Sequence, residues 1–455
     1  MPKDRPIKRG AIGRGFALSI ASARAGGAFA LDGALRKLGG RGDDARLQRE
    51  AKRFASKLGE LKGSYVKIGQ MFALLGEHFL PSPLTQALHE LESDAQRLDW
   101  RHIQPVLTEA LGDRLEDLTI ETTALAAASL AQVHRATLRG SHQSVVVKVQ
   151  YPTVVDVLEE DFDAVVRMLT LARWIPASRE FDGWLALLRS QLLAEVDYSR
   201  ERQMAARVGN AVALWCDQQR LDAPVLVPKY HADLSGEDVL IMDYMIGERL
   251  SPSLVRQLTQ PLRDALGKTM LQLFFLEVFE LGLMQADPNF GNYLIDPASG
   301  SLVLLDFGSV IALDLEVRQA LADTMIAGRE GNDQALINAL ERLGCLHSDS
   351  TDHARNTFRS FIQHLLEPLR PAEHLPAMYL NSEGQYCWAM SSLVARAGKK
   401  AANSAASRHF SIPNAEFALI ARKLTGVFTF IAMLEAQFNA WDVVAPFIEQ
   451  REVTP

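Results

Sequence analysis

Apolar positions near the start of the chain recur at alternating steps of four and three, which is the spacing of one face of an α-helix. These positions are Phe54, Leu58, Leu61, Tyr65, Ile68, Phe72 and Leu75. They predict one long helix that packs its apolar face into a core. Gly63 and Gly69 weaken this helix, so we expect them to allow the close approach of another backbone. Lys67 and Gln70, in "KIGQ", lie off the apolar seam.

The patterns that follow divide the chain into helical and sheet-containing parts. Two more helices, one behind Pro83 and one ending at Gly112, complete a helical extension. Short runs after it, including "SVVVKVQ", predict two or three strands, and "VLVPKYHADLSGEDVLIMDYMIGERL" predicts a strand pair. The remainder is mostly helical, with a strand-turn-strand segment in "QADPNFGNYLIDPASGSLVLLDFGS". We therefore expect an α+β, bilobal chain with a basic segment over 1–44, a helical extension over 45–112, a sheet-containing lobe over 113–246 and a mostly helical lobe over 247–455.

Composition and charge narrow the class of protein. With 455 residues, of which 48% are hydrophobic and 23% charged, the chain is typical of a large globular protein. The net charge of −7 argues against a nucleic-acid partner, although the basic N-terminal segment would suit peripheral contact with an anionic membrane. A membrane span needs roughly 20 mostly apolar residues in a row, and no window of the sequence supplies them, so no span is predicted. The three cysteines are widely spaced, which supports neither a disulfide framework nor a zinc cluster and fits a reducing cytoplasm.

Two smaller features have ordinary interpretations. Val427, Ile431, Leu434 and Phe438, at steps of four and three, form a helical stripe that fits either core or a lipid-facing patch. His134 is best interpreted as a hydrogen-bonded strand histidine, with contact to a phosphate as the alternative.

The polar residues of the strand-turn-strand segment have the spacing of a phosphoryl-transfer site. Such a site needs a cation on the phosphates, hard oxygen ligands for magnesium and a group that orients the acceptor. Lys148 ends the valine-rich run, Asp287 precedes Asn292 by five positions, and Asp306 begins an Asp-Phe-Gly fourteen positions later. Each feature alone fits a solvated lysine, a turn or a chance tripeptide. Their order is that of a protein kinase, with Asn292 and Asp306 as magnesium ligands, so the combination favours ATP chemistry.

Three further motifs make the resemblance specific. "KIGQ", "AAAS" with the following "QVHRA", and "EVDYSRE" resemble signatures of the UbiB family of atypical kinase-like proteins, whose eukaryotic ADCK members act in coenzyme Q biosynthesis. The resemblance implies an atypical protein-kinase-like bilobal fold with the N-terminal helical extension packed over the cleft. It also assigns roles, in which Lys148 pairs with Glu201, and Lys67 faces Glu195 or Asp197 as a regulatory contact together with Gln70. The residues implied to bind nucleotide are Ala126, Ala127, Ala128, Ser129, Lys148, Glu201, Met242 and Met245.

The departures from an ordinary kinase shape the expected function. Gln285 and Ala286 stand where the His-Arg pair of a kinase loop would be, so regulation by activation-loop phosphorylation is not expected. Alanine narrows the backbone freedom that glycine gives to a phosphate loop. The leading hypothesis is an ATP/Mg²⁺-dependent ATPase or atypical kinase that supports isoprenoid-quinone biosynthesis or related lipid handling, with Asp287 and Lys148 as catalytic residues and little protein phosphorylation in trans.

Alternatives stay open at this point. The first is a nucleotide-binding pseudokinase scaffold for a membrane-associated biosynthetic complex, and the second is a true protein kinase. The expected partners are nucleotide and a lipid or quinone-precursor ligand, with peripheral contact at the inner face of the membrane. A homodimer is left open, and the acceptor and the pathway step are not specified by these motifs.

Overall fold

A computed structural model describes residues 44–61, 63–76, 80–91, 97–172, 174–175, 179–287, 289–347, 350–397 and 415–449. The basic segment expected over 1–44 thus lies, except for its last residue, outside the described residues. The chain divides into two compact units, Met1–Arg200 with Tyr230–Tyr244, and Glu201–Lys229 with Met245–Pro455. No helix among the described residues has the length and apolar character needed to cross a membrane.

The described chain begins with four helices, continues with three strands and three helices, and after its last strand contains helices and short turns. The α-helices include α1 (Asp44–Leu61), α2 (Ser64–Gly76), α3 (Ser82–His89), α4 (Trp100–Leu111), α5 (Val154–Leu171), α6 (Arg179–Ala194), α7 (Tyr198–Gln219), α8 (Pro252–Val255), α9 (Gln260–Phe275), α10 (Leu315–Glu330), α11 (Asp333–Arg342), α12 (Asp352–Leu365), α13 (Trp388–Ser391), α14 (Ala415–Met433) and α15 (Ala440–Glu449). The strands are β1 (Leu118–Ala127), β2 (Ala131–Leu138), β3 (Ser144–Gln150), β4 (Val225–Leu226), β5 (Val239–Asp243), β6 (Leu283–Gln285), β7 (Tyr293–Asp296), β8 (Ser301–Leu304) and β9 (Val310–Ala312).

The prediction of one long helix at the start is wrong, because the apolar stripe is shared by two helices. Helix α1 ends at Leu61 and α2 begins at Ser64, and Gly63 between them has a φ of +58°. Glycine adopts this left-handed conformation without the Cβ clash that other residues suffer. Gly69 lies inside α2, and the group that approaches it is the Leu91 side chain, not the other backbone that the sequence predicts.

The first unit is built around an antiparallel sheet in the order β1-β2-β3-β5. In β3 the valines alternate, so that Val145, Val147 and Val149 are fully buried on one face. They pack with Ile103 and Leu107, which lie on one face of α4. Period-two alternation on the strand and a helical stripe on α4 therefore bury one shared core.

Within the segment predicted as a strand pair, a single antiparallel bridge joins Tyr230 to Met242 of β5, and β4 has a different partner. Strand β5 joins β3, whereas β4 pairs in parallel with β8 in the sheet β4-β8-β7 of the second unit. The residues just before β4 explain its position. The Ala223 carbonyl accepts from Thr269 Oγ1 at 2.8 Å on α9, and the Pro224 carbonyl accepts from the Leu302 N–H at 2.9 Å.

The second unit is mostly helical, with short strands that hold its loops. Strands β6 and β9 form a small antiparallel sheet, and β7 pairs with β8. A π-helical turn, Leu276–Leu281, follows α9 and leads through Gly282 into β6. Val427, Ile431, Leu434 and Phe438 are all buried, so they are core, but the predicted helical stripe is interrupted because α14 ends at Met433, before Leu434 and Phe438.

Candidate functional site

In the first unit, Lys67 on α2 forms an ion pair with Glu195, the residue that follows α6. The two side chains are 18% and 22% exposed, so the pair is largely shielded from water. A shielded pair of this kind fixes orientation more reliably than it adds stability. Asp197, the other acidic residue of this motif, has a different role, because its Oδ1 accepts from the Arg200 N–H at 2.8 Å in the first turn of α7.

Gln70 connects the same helix to two loops. Its Nε2 donates to the Leu91 carbonyl at 3.2 Å, and its Oε1 lies 3.5 Å from Ser129 Oγ, at the outer limit of a hydrogen bond. The structure therefore brings the helix of "KIGQ" next to the residue that ends "AAAS". All of these residues belong to the first unit.

The alanine-rich segment is the end of a hairpin rather than an open loop. Ala126 and Ala127 belong to β1, opposite Val133 and Gln132 of β2. The Ala128 N–H donates to the Ala131 carbonyl at 2.8 Å. Because that donor is used within the hairpin, this segment offers fewer free backbone N–H groups than a glycine-rich phosphate loop does.

A buried polar chain supports this hairpin. The Leu98 N–H donates to Gln132 Oε1 at 2.9 Å, Gln132 Nε2 lies 2.7 Å from His134 Nε2, and His134 Nδ1 lies 2.8 Å from the Glu121 carbonyl. Burial lowers the pKa of His134, against the raising effect of the Glu121 carbonyl, and so favours a neutral ring. His134 is thus the hydrogen-bonded strand histidine of the ordinary interpretation.

Lys148 lies on β3 between β2 and β5, opposite Val133 and Leu240. Its Nζ lies 5.1 Å from the centre of the Tyr198 ring, which also packs with the buried Met242. Glu201 is buried in the second unit, and Met245 is a half-buried residue of that unit. Lys148 and Glu201 thus belong to different units, and their pairing stays a prediction.

The second unit brings together Asp287 and Asn292, the two residues expected in the catalytic loop. This loop runs from β6 to β7 and ends in a 3₁₀ turn, Phe290–Asn292, that Asn289 caps through the Gly291 N–H at 2.9 Å. Asn292 Nδ2 donates to Asp287 Oδ2 at 3.2 Å, and the Asn289 N–H donates to Asp287 Oδ1 at the same distance. The loop thus holds both carboxylate oxygens of Asp287 in place.

The Asp-Phe-Gly segment is tied to this loop through the backbone. The Leu305 N–H donates to the Asn292 carbonyl at 2.9 Å, which places Asp306 one residue from that contact. The Gly308 N–H then donates to Asp306 Oδ1 at 2.8 Å and fixes the carboxylate. Two predicted metal ligands, Asn292 and Asp306, are therefore held by adjoining backbone.

The two predicted metal ligands at this site offer oxygen donors. Within the described residues, no group of three or more His, Cys, Asp or Glu side chains is placed to hold a metal ion. Asn292 and Asp306 supply one amide oxygen and one carboxylate. Magnesium is commonly bound by one or two such oxygens together with substrate phosphates and water, so these residues fit that ion.

The sequence motifs miss four residues near the loop, which are Arg422, Lys423, Tyr293 and Glu277. Arg422 on α14 approaches Asp287, with Nη2 3.8 Å from Oδ1. Lys423, the next residue, is buried, and its Nζ donates to Gln285 Oε1 at 2.8 Å and to Tyr293 OH at 2.6 Å. The fourth residue, buried Glu277, has Oε2 3.8 Å from Lys423 Nζ. One signal was available, because Lys423 precedes Val427 by four positions and is a charge on an apolar stripe.

Burial and opposite charge act together on this group. Burial raises the pKa of Glu277 and of Tyr293, and the nearby Lys423 cation opposes both increases. Burial alone would lower the pKa of Lys423, but Glu277, Tyr293 and Asp287 more than offset that effect and raise it. Lys423 therefore remains a cation inside the second unit.

Comparison with known proteins gives one family. The model of the ABC1 atypical kinase-like domain matches residues 90–340. Atypical kinase COQ8, mitochondrial, of Schizosaccharomyces pombe is 28% identical over 331 residues, which cover 72% of this chain and 53% of that protein. The Saccharomyces cerevisiae protein of the same name is 29% identical over 259 residues, which cover 56% of this chain and 50% of that protein. The chain thus spans about half the length of these curated relatives.

A solved structure has the same fold. It is titled "The complex structure of Rv3197-erythromycin from Mycobacterium tuberculosis" and aligns with a TM-score of 0.60 and 23% identity. The alignment covers 88% of this chain and 96% of that one. At this identity the likeness is one of fold, and it agrees with the kinase-like architecture that the sequence predicts.

Proposed function

The chain belongs to the family of ABC1 atypical kinase-like domains, the UbiB/ADCK family, and from this premise we propose that it is an ATP- and magnesium-dependent ATPase or atypical kinase. The observation that supports the proposal most strongly is the hydrogen bond from Asn292 to Asp287 beside the backbone that leads into Asp306. It brings the acceptor-orienting carboxylate and one assigned magnesium ligand together in one loop, with the second assigned ligand, Asp306, next to backbone that is bonded to that loop.

Each residue has a defined part in this proposal. Asp287, held by Asn289 and Asn292, orients the acceptor hydroxyl or water and accepts its proton. The Asn292 amide nitrogen is used in that bond, so its oxygen, with Asp306, is assigned to magnesium, which neutralises phosphate charge when bound. Lys148 is assigned to the phosphates, with Glu201 as its partner. Ala126, Ala127, Ala128, Ser129, Met242 and Met245 are assigned to the nucleotide.

The "KIGQ" helix is assigned a regulatory role. Lys67 is paired with Glu195, and Gln70 contacts both Leu91 and Ser129. These contacts join the helix to the alanine-rich hairpin, so a change in the helix would be transmitted to Ser129. With this arrangement, we expect the chain to phosphorylate other proteins only weakly. The substrate assigned is a small molecule or lipid.

The pathway assignment rests on the relatives' names and on the family resemblance. Proteins called atypical kinase COQ8 support a role in isoprenoid-quinone biosynthesis, and the ligand assigned here is a quinone precursor or related lipid. Peripheral contact with the inner face of the membrane, from a cytoplasmic location, is part of the same proposal. Sedimentation of the purified chain would decide between a monomer and a homodimer.

The test is ATP turnover by the purified full chain, with and without vesicles that contain a quinone-precursor mimic. We expect magnesium-dependent turnover that vesicles increase, and its loss in Lys148→Ala and Asp306→Asn. Asp323→Asn is the matched control, because this exposed residue on α10 pairs with Arg342 instead of the loop. Turnover that is unchanged in both Lys148→Ala and Asp306→Asn would contradict the proposal.

The scaffold alternative makes a different prediction from the same samples. Glu195 and Gln70 would then serve only to dock the extension, and nucleotide would bind as a structural ligand. Thermal stabilisation by Mg-ATP without turnover, under every vesicle condition, would favour the scaffold. A true protein kinase would instead transfer phosphate to an added protein.

A further inference from the structure

The catalytic loop is anchored at both of its ends by one buried cation. Gln285 is the last residue of β6, and Tyr293 is the first residue of β7. Between them lie Asp287 and Asn292. Lys423 Nζ donates to Gln285 Oε1 at 2.8 Å and to Tyr293 OH at 2.6 Å, so it joins the two strands that enter and leave the loop.

A third contact extends this anchor to the element before β6. Glu277 lies in the π-helical turn, 3.8 Å from Lys423 Nζ, and both side chains are almost fully buried, at 1% and 3% exposure. Such π-helical turns are rare and occur frequently at functional sites. Lys423 therefore contacts the turn before β6, the end of β6 and the start of β7.

Core stability alone does not account for this arrangement. A buried ion pair is often no more stable than well-packed apolar residues of similar volume, because both charges lose their hydration. Lys423 lies on a helix whose neighbouring core positions, such as Val427 and Ile431, are apolar. A cation here supplies directed hydrogen bonds to two specific acceptors, which an apolar side chain cannot do.

We propose that Lys423 is a positioning residue that sets the catalytic loop through Gln285 and Tyr293, and this inference rests on the function proposed above. An ordinary kinase loop has a His-Arg pair before its catalytic aspartate, and this chain has Gln285 and Ala286 there. Lys423 supplies from α14 a cationic contact at that place. The Asp287 charge is also among those that raise the pKa of Lys423, so the two groups are electrostatically coupled.

A purely structural role would be to neutralise Glu277, and two variants separate the roles. Lys423→Met leaves the Glu277 carboxylate buried without its cation, so unfolding of this variant would not distinguish the two roles. The double variant Lys423→Met with Glu277→Gln removes both charges and restores a neutral interior. If Lys423 only neutralises Glu277, the double variant will have normal activity, and if Lys423 positions the loop, it will not.

The kinetic experiment measures kcat and KM for ATP in the full chain. For the folded double variant we expect kcat to fall about 10- to 100-fold, because a small displacement of a catalytic group has an effect of that size. The KM for ATP should change by less than about threefold, since Lys423 contacts the loop and not the nucleotide. Tyr293→Phe should lower kcat by less, and combining it with the double variant should add little. A kcat within twofold of the unmodified chain in the double variant would overturn the proposal.

A second measurement does not depend on turnover. Hydrogen exchange of the backbone amides in the loop, including those of Asn289, Gly291 and Asn292, should be faster in the double variant than in the unmodified chain. Arg396→Met with Glu367→Gln is the control, since it removes a different shielded ion pair of the same unit. Unchanged exchange in the loop would overturn the positioning role even if the chain proves to have no ATPase activity. Faster exchange without any turnover would instead refute only the proposed function.

Discussion

Gly69, the glycine of "KIGQ", gives a prediction that can be worked from the structure. A Cβ added at this position would lie 2.5 Å from Leu91 Cδ1 and 3.3 Å from Leu58 Cδ1. Carbon atoms in contact are ordinarily about 3.5–4.0 Å apart. Leu58 is fully buried, so Leu91 has to move if Gly69→Ala is to be accommodated.

Two opposing effects set the magnitude. Replacing glycine by alanine inside a helix stabilises it by about 1 kcal/mol. Adding a methyl group to a filled space costs about 1–3 kcal/mol, because neighbours must leave their preferred positions. Gly69→Ala should therefore destabilise the first unit by about 0–2 kcal/mol. Moving Leu91 should also disturb the bond from Gln70 to the Leu91 carbonyl.

The matched control is Gly59→Ala on α1. Its added Cβ would meet the same Leu91 side chain, but at 3.5 Å from Cδ2, which is an ordinary contact. This variant should keep the full helix gain and stabilise the unit by about 0.5–1 kcal/mol. The two variants thus differ in the expected sign of their effect, although both place a methyl group against one leucine.

The assay is thermal unfolding of the two variants and the unmodified chain under identical conditions. For a unit of roughly 200 residues, 1 kcal/mol corresponds to about 2–4 °C in Tm. We expect Gly59→Ala to have a higher Tm than the unmodified chain and Gly69→Ala to have an equal or lower one. Equal stabilisation by both variants would show that Gly69 is not closely packed, and the explanation of this glycine would be wrong.

Two further predictions concern ion pairs. Lys67→Met and Glu195→Gln should each destabilise the first unit by about 1–2 kcal/mol, because each single change leaves one shielded charge unpaired. The double variant should be destabilised by less than the sum of the two. Additive effects in urea unfolding would show that the two side chains do not interact. Glu367 is buried, which alone raises its pKa, but hydrogen bonds from Arg396 and Tyr386 more than offset this and lower it. The ionised Glu367 carboxylate therefore stabilises the folded chain above about pH 4.5, and this stabilisation is lost as the pH falls through the lower pKa that Glu367 has in the folded chain. Glu367→Gln should lower the free energy of unfolding by about 2–4 kcal/mol at neutral pH, and this loss should become smaller below pH 4.5. A loss that does not change with pH in urea unfolding would refute this.

The parts of the fold that local patterns determine are predictable from the sequence. Alternation in "SVVVKVQ" gives the buried face of β3, and the interval between Asp287 and Asn292 gives a turn in which the two side chains meet. The expected contact of Lys67 with one of two acidic residues is present with Glu195. These features depend on residues whose spacing or chemistry restricts their partners.

Other parts depend on long-range contacts that a single sequence does not specify. The apolar stripe from Phe54 continues past Gly63, so periodicity alone cannot show that the helix ends at Leu61 and restarts. Strand β4 is only two residues long, and its partner β8 is set by backbone hydrogen bonds from distant residues. Lys423 becomes significant only when α14 packs against the loop, because no motif links it to Gln285.

In the proposed function, this loop and Asp306 perform magnesium-dependent chemistry on ATP. The most direct measurement is ATP turnover by the unmodified chain and by Asp306→Asn across a magnesium titration. We expect turnover in the unmodified chain that requires magnesium, and a loss of about 100-fold or more in Asp306→Asn that additional magnesium restores only in part. Equal turnover by the two proteins at every magnesium concentration would contradict it.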